Sequence, residues 1–119
     1  IPRLVKMVKC RNFKKLQEIY DENISGDFSH AEDICNGLLK LIFLQKNPDK
    51  VIFSSNKRIY INDIIDYLLK INQINKKFNN KINKKKNSPL GNNKVTKKIL
   101  RWKINKNIFT AVKELNTFI

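Results

Sequence analysis

Two ten-residue stretches, 32–41 (EDICNGLLKL) and 62–71 (NDIIDYLLKI), carry one pattern of apolar and charged positions without a gap. Asp33/Asp63, Ile34/Ile64, Leu38/Leu68, Leu39/Leu69, Lys40/Lys70 and Leu41/Ile71 match at a period of 30 residues. Apolar residues at i, i+4, i+5 and i+7 fit the turn of an α-helix and cannot alternate across a strand. The echo has two readings. Periods of 20–50 residues signal stacked helical hairpins, but two core helices sharing a Leu-Leu face would also look alike. Either way the chain is helical. Three Gly and three Pro in 119 residues leave little punctuation for a turn-rich β architecture.

The same period predicts helices over about 3–10, 12–23, 29–45, 62–78, 95–103 and 107–118. Ser29 followed by Glu32 matches a capping box, and Asn47-Pro48 marks a stop. The 29–45 helix is apolar nearly all round, which predicts a place at the centre of the core. Ile34, Leu38, Leu39, Leu68 and Leu69 are therefore expected to be buried. Asn62 is a plausible N-cap for the following helix. Residues 51–61 read as a loop or a short β-hairpin around Ser54-Ser55-Asn56-Lys57. The expected fold is all-α: a small bundle or helical-hairpin repeat of five to six helices, with room for that one hairpin. Residues 1–78 form the helical core, 79–94 a basic linker, and 95–119 a C-terminal helical pair packed on the core.

Charge is the strongest functional signal. The formal net charge is +15. Residues 1–60 carry 11 basic and 7 acidic side chains, whereas residues 61–119 carry 14 and 3. Between residues 76 and 106 stand twelve Lys or Arg and no Asp or Glu. Such a run repels itself unless it is solvated or held against something negative. Phosphates reward clustered cations through counterion release, so nucleic acid is the leading partner. An acidic protein or membrane surface is the competitor. AT-rich codon usage would inflate Lys, Asn and Ile, but it does not explain the missing acids. The candidate interface comprises Lys76, Lys77, Lys81, Lys84, Lys85, Lys86, Lys94, Lys97, Lys98, Arg101, Trp102, Lys103 and Lys106. Trp102 either stacks on an unpaired base or packs between the last two helices.

Little else carries chemistry. His30, the single histidine, reads as a solvated surface residue. Cys10 and Cys35 sit in apolar contexts and read as buried free thiols, too few for a disulfide framework. One His and two separated Cys make no credible metal set, so no metal or other cofactor is expected. The paired acids Asp21/Glu22 and Glu32/Asp33 suit helix ends. The single glycine of SPLGNNK is too little for a phosphate-binding loop. No nucleophile is marked, and an enzyme is the least favoured class. The longest apolar run is too short to span a membrane. Ile at position 1 suggests a fragment or processed product, and no signal-peptide pattern is visible.

The phrase S-x-A-E-D-I-C-N-x-L-L-K-L at 29–41, recurring as N-D-I-I-D-x-L-L-K-I, resembles the helical repeats of organellar RNA-binding proteins. These are the octotricopeptide and heptatricopeptide types, including those found with RAP domains. The resemblance loosely covers 12–78 and implies an α-solenoid piece acting on mitochondrial or plastid RNA, as on a ribosome. It implies an intracellular, organellar setting. A second pattern, over residues 1–44, is similar to the C-terminal helical collar of replication factor C small subunits, and it implies an assembly domain with protein partners. VTKKILRWKINKNIFTAVKELN also has the outline of a DNA-binding helix-turn-helix. There Ile99, Ile104, Phe109 and Val112 would hold two crossing helices and Asn107 would cap the second.

Overall fold

Ile61, Ile64, Ile65, Leu68 and Leu69 recur three and four residues apart, which makes one stripe along a helix. In the structure, a computed structural model describing residues 1–45, 48–79 and 89–119, that stripe is the centre of the core. The helices are α1 (Pro2–Lys9), α2 (Phe13–Glu22), α3 (Ala31–Ile42), α4 (Ile61–Ile71), α5 (Lys94–Leu100) and α6 (Ile108–Phe118). Two short strands, β1 (Ser25–Gly26) and β2 (Ile59–Tyr60), pair antiparallel. The described chain is an all-α bundle with one two-stranded pair.

α4 packs on α1, α2 and α6, and α1 also packs on α2 and α6. Ile64, Ile65 and Leu68 are fully buried there with Val5, Val8, Leu16 and Val112. Each such side chain contributes about 1.5–3 kcal/mol on leaving water. α1 and α4 end alike. Arg11 (φ 54°) and Gln73 (φ 57°) turn left-handed, and the N–H groups of Asn12 and Ile74 donate back to the carbonyls of Met7 and Leu69. This Schellman turn stops α4 well before residue 78. The chain then returns Phe78 to the core, against the rings of Phe13 and Tyr20.

The short antiparallel pair expected near 51–61 has one strand there, β2. Its partner is β1, with Ser25 opposite Tyr60 and Gly26 opposite Ile59. The Ile61 N–H extends the contact by donating to the Ile24 carbonyl at 2.9 Å. β1 occupies the connection between α2 and α3, so the pair ties that connection to the start of α4.

α3 does not lie at the centre of the core. Leu38 is 46% exposed and Leu39 54%, while Ile42 and Phe43 reach 73% and 82%. Ile34 is half-buried. Leu68 and Leu69, by contrast, are buried as expected. The buried residues of α3 are Asp33 and Gly37, one turn apart. Successive helical residues stand about 100° apart around the axis, so a helix that seats Asp33 and Gly37 turns Leu38 and Leu39 away. Four other local expectations change. The N-cap of α3 is His30 rather than Ser29, with its Nδ1 accepting the Glu32 N–H at 3.1 Å. His30 is buried, not solvated, and its Nε2 lies 3.2 Å from Glu114 Oε2 on α6. Cys10 and Cys35 are both free but exposed. Asn62 lies buried inside α4, whose N-cap position is Tyr60. Among the described residues no helix is long and apolar enough to cross a membrane.

The matched leucines of the two echoes give a direct comparison. Leu68→Ala should cost about 2–5 kcal/mol, the range for a core truncation. Leu38→Ala should cost less than about 1 kcal/mol, because half of its surface already faces water. Urea unfolding of both variants measures the difference, and equal losses would place α3 in the core after all.

Candidate nucleic-acid interface

α5 is a short helix whose inward side is polar. Its buried residues are Thr96 and Leu100, and Asn93 at its N-cap position is buried beside them. Thr96 Oγ1 accepts the Ile52 N–H at 2.9 Å and donates to the Ile52 carbonyl at 2.8 Å. Asn93 Nδ2 donates to the Ser54 carbonyl at 2.7 Å. Two side chains thereby satisfy the backbone of an irregular segment, which a buried loop requires. That anchoring leaves Lys94, Lys97 and Lys98 of the helix, and Arg101 just past its end, exposed.

The chain then turns sharply. Arg101 takes a left-handed conformation (φ 50°), and Trp102 passes beneath α3. Trp102 is 2% exposed, its indole N–H donates to the Asp33 carbonyl at 2.7 Å, and its ring meets Phe53 edge-on at 5.3 Å. Gly37 makes room for both rings. A Cβ there would stand 2.4 Å from a Phe53 ring carbon and 3.0 Å from the Trp102 nitrogen. Asp33 closes the arrangement, since its carboxylate accepts the N–H groups of Asn105 and Lys106. Trp102 is thus a core residue, and no face of it is open to a base.

The expected cations fall into groups. Lys94, Lys97, Lys98, Arg101 and Lys103 gather on and just after α5, all exposed. Among the described residues none of these five has an ion-pair partner. Lys40 of α3 joins them, its Nζ donating to the Arg101 carbonyl at 3.0 Å. Sequence reasoning missed Lys40, because nothing in its neighbourhood signalled a contact 61 residues away. Lys106 is differently placed. It pairs with Glu32, and Glu114 stands at 4.0 Å. The hydrogen bond to Glu32 holds its ammonium above the usual lysine range. Lys76 and Lys77 sit beyond α4, with the Lys76 ammonium over the rings of Phe13 and Phe78. They share a groove with Asp66. Burial pushes that carboxyl above its usual range, although a hydrogen bond from Tyr20 works the other way. An acid so close makes this end a poorer phosphate site than α5. Lys81, Lys84, Lys85 and Lys86 lie outside the described residues.

The helix-turn-helix outline separates into two supports. α5 packs on α3, α6 packs on α4 and α1, and Ile99 is 38% exposed rather than held between the two helices. Asn107 does cap α6, accepting the Phe109 N–H at 2.9 Å.

Asp33→Asn should destabilise the protein by about 1–3 kcal/mol, because an amide NH2 would face N–H donors that now find a carboxylate. Trp102 is the single tryptophan and reports the change directly. Its emission should shift to the red in the variant, and an unshifted spectrum with an unchanged melt would show that the contact holds nothing. Comparison of the chain with protein-family models, curated proteins and solved structures found no match.

Proposed function

We propose that this chain is a non-enzymatic basic module that binds RNA, chiefly through phosphates. One observation carries the reading. Lys94, Lys97, Lys98, Arg101 and Lys103 stand together, exposed and free of ion pairs among the described residues, on and just after a short helix without acids. In the sequence, the neighbouring residues 80–88 add four more lysines and no acid. Clustered cations of this kind release counterions when they meet phosphates. With Trp102 turned inward, the reading has no stacking platform at that position. The contacts are therefore of the kind that positions rather than specifies, with little preference among RNA sequences. The organellar ribonucleoprotein setting implied by the helical-repeat resemblance belongs to the same proposal.

Replacing Lys94, Lys97 and Lys98 together by Gln should weaken RNA binding and leave the melting temperature unchanged. The slope of log affinity against log salt should fall by roughly 0.7–0.9 for each phosphate contact removed. Lys84, Lys85 and Lys86 replaced by Gln should act in the same direction, and the losses should be alike for poly(U) and mixed-sequence RNA. Unchanged affinity and salt slope in both triple variants would sink the reading.

A further inference from the structure

The uncovered face of α3 meets α5 in a groove of about 420 Å³. Leu39, Phe43, Leu44, Ile99 and Leu100 line it, with Lys40 and Arg101 among them. We propose that this groove takes an acidic amphipathic helix of a partner protein, apolar side down and carboxylates on the flanking cations. The proposal does not require the RNA reading, although Arg101 belongs to both surfaces, and its carrying observation is the apolar groove.

The first argument is the echo. Leu68 and Leu69 of α4 are covered by three helices, while their counterparts Leu38 and Leu39 are about half exposed. An amphipathic helix laid across two exposed helices supplies that missing layer, with anchors at helical spacing.

The second argument is charge. α5 has no acid, and α3 has none beyond its first turn. The two acids of that turn are occupied, Glu32 by Lys106 and Asp33 by backbone amides. The groove is therefore apolar with cationic flanks, which selects an occupant with apolar anchors and carboxylates. A second copy of the chain meets these requirements poorly. A two-fold contact would set Lys40 and Arg101 against their own equivalents in a molecule of net charge +15. RNA meets them less well, since Phe43 is the one aromatic ring in a lining whose other apolar side chains are aliphatic, which gives successive bases no run of platforms.

The probe is a fluorescein-labelled helical peptide with leucines at i, i+3, i+4 and i+7 and Glu at the flanking positions. Its twin has Lys for every Glu. Anisotropy with the full chain should show binding of the acidic peptide and none of the twin. Phe43→Ser should weaken binding about tenfold or more, the scale of a lost anchor. Phe43 is 82% exposed, so the variant should melt like the parent and bind poly(U) unchanged. Lys40→Gln with Arg101→Gln should weaken the acidic peptide as well. The proposal is overturned if the acidic peptide does not bind, if the twin binds equally, or if Phe43→Ser has no effect. It is also overturned if the free chain sediments as a dimer that Phe43→Ser dissociates, which would make the occupant a second copy. A loss of poly(U) affinity in Phe43→Ser matching the loss for the peptide would assign the groove to RNA instead.

Discussion

Asp33 sets a carboxylate where water does not reach, 1% exposed, and three donors from one distant segment converge on the residue. The N–H of Asn105 lies 3.2 Å from each carboxylate oxygen, the N–H of Lys106 lies at 2.9 Å, and the Trp102 indole takes the backbone carbonyl. A buried charge is tolerable only when its lone pairs are met, and each bond to a charged group contributes about 1.5–3 kcal/mol. The donors gain equally. Residues 101–107 belong to no helix, so their amides lack partners of their own. Satisfying both sides at once fixes where α3 lies. That in turn places Trp102 and Phe53 against Gly37, gives α5 a surface to pack on, and turns the leucines of α3 outward.

Much of the fold was legible because helical period is a local property. The six helices of the described residues fall where apolar spacing put them, although α4 ends at Ile71 rather than near residue 78, and its buried stripe can be read directly from Ile64, Ile65, Leu68 and Leu69. The error over α3 has a physical origin. Spacing shows that a helix has apolar residues, but not whether the same chain covers them. Asp33 and Asp63 occupy equivalent positions in the echo, yet Asp33 is buried and Asp63 is exposed. The difference lies 72 residues away, in amides with no side-chain signature. Gly37 misleads similarly. In a helix interior glycine reads as a mild weakness, whereas here its missing Cβ is what admits two aromatic rings.

The candidate interface was legible only as composition. The acid-free run marks where cations concentrate, but not which of them are exposed and unpaired among the described residues. Lys106 is taken up by Glu32, and Trp102 by the core. Lys94, Lys97, Lys98 and Arg101 face outward because Asn93 and Thr96 are spent on the backbone of Ile52 and Ser54. Asparagine and threonine in a basic run carry no visible sign of that duty, and so the sidedness of α5 emerges only when residues 51–54 lie against it.

The four-helix body and the α3–α5 layer are stabilised by different physics. The body rests on a continuous apolar core that includes Val5, Val8, Leu16, Ile64, Ile65, Leu68 and Val112. The layer rests on one carboxylate, two aromatic rings and a few backbone-directed hydrogen bonds. Regions with fewer buried apolar contacts open at lower free energy than the core. A ligand that binds only the closed layer stabilises it by RT ln(1 + [L]/Kd), about 2.7 kcal/mol at a hundredfold excess over Kd. Both the cations of α5 and the uncovered leucines of α3 belong to this layer. A ligand of either surface would thus act on the part of the described fold that has the fewest buried apolar contacts.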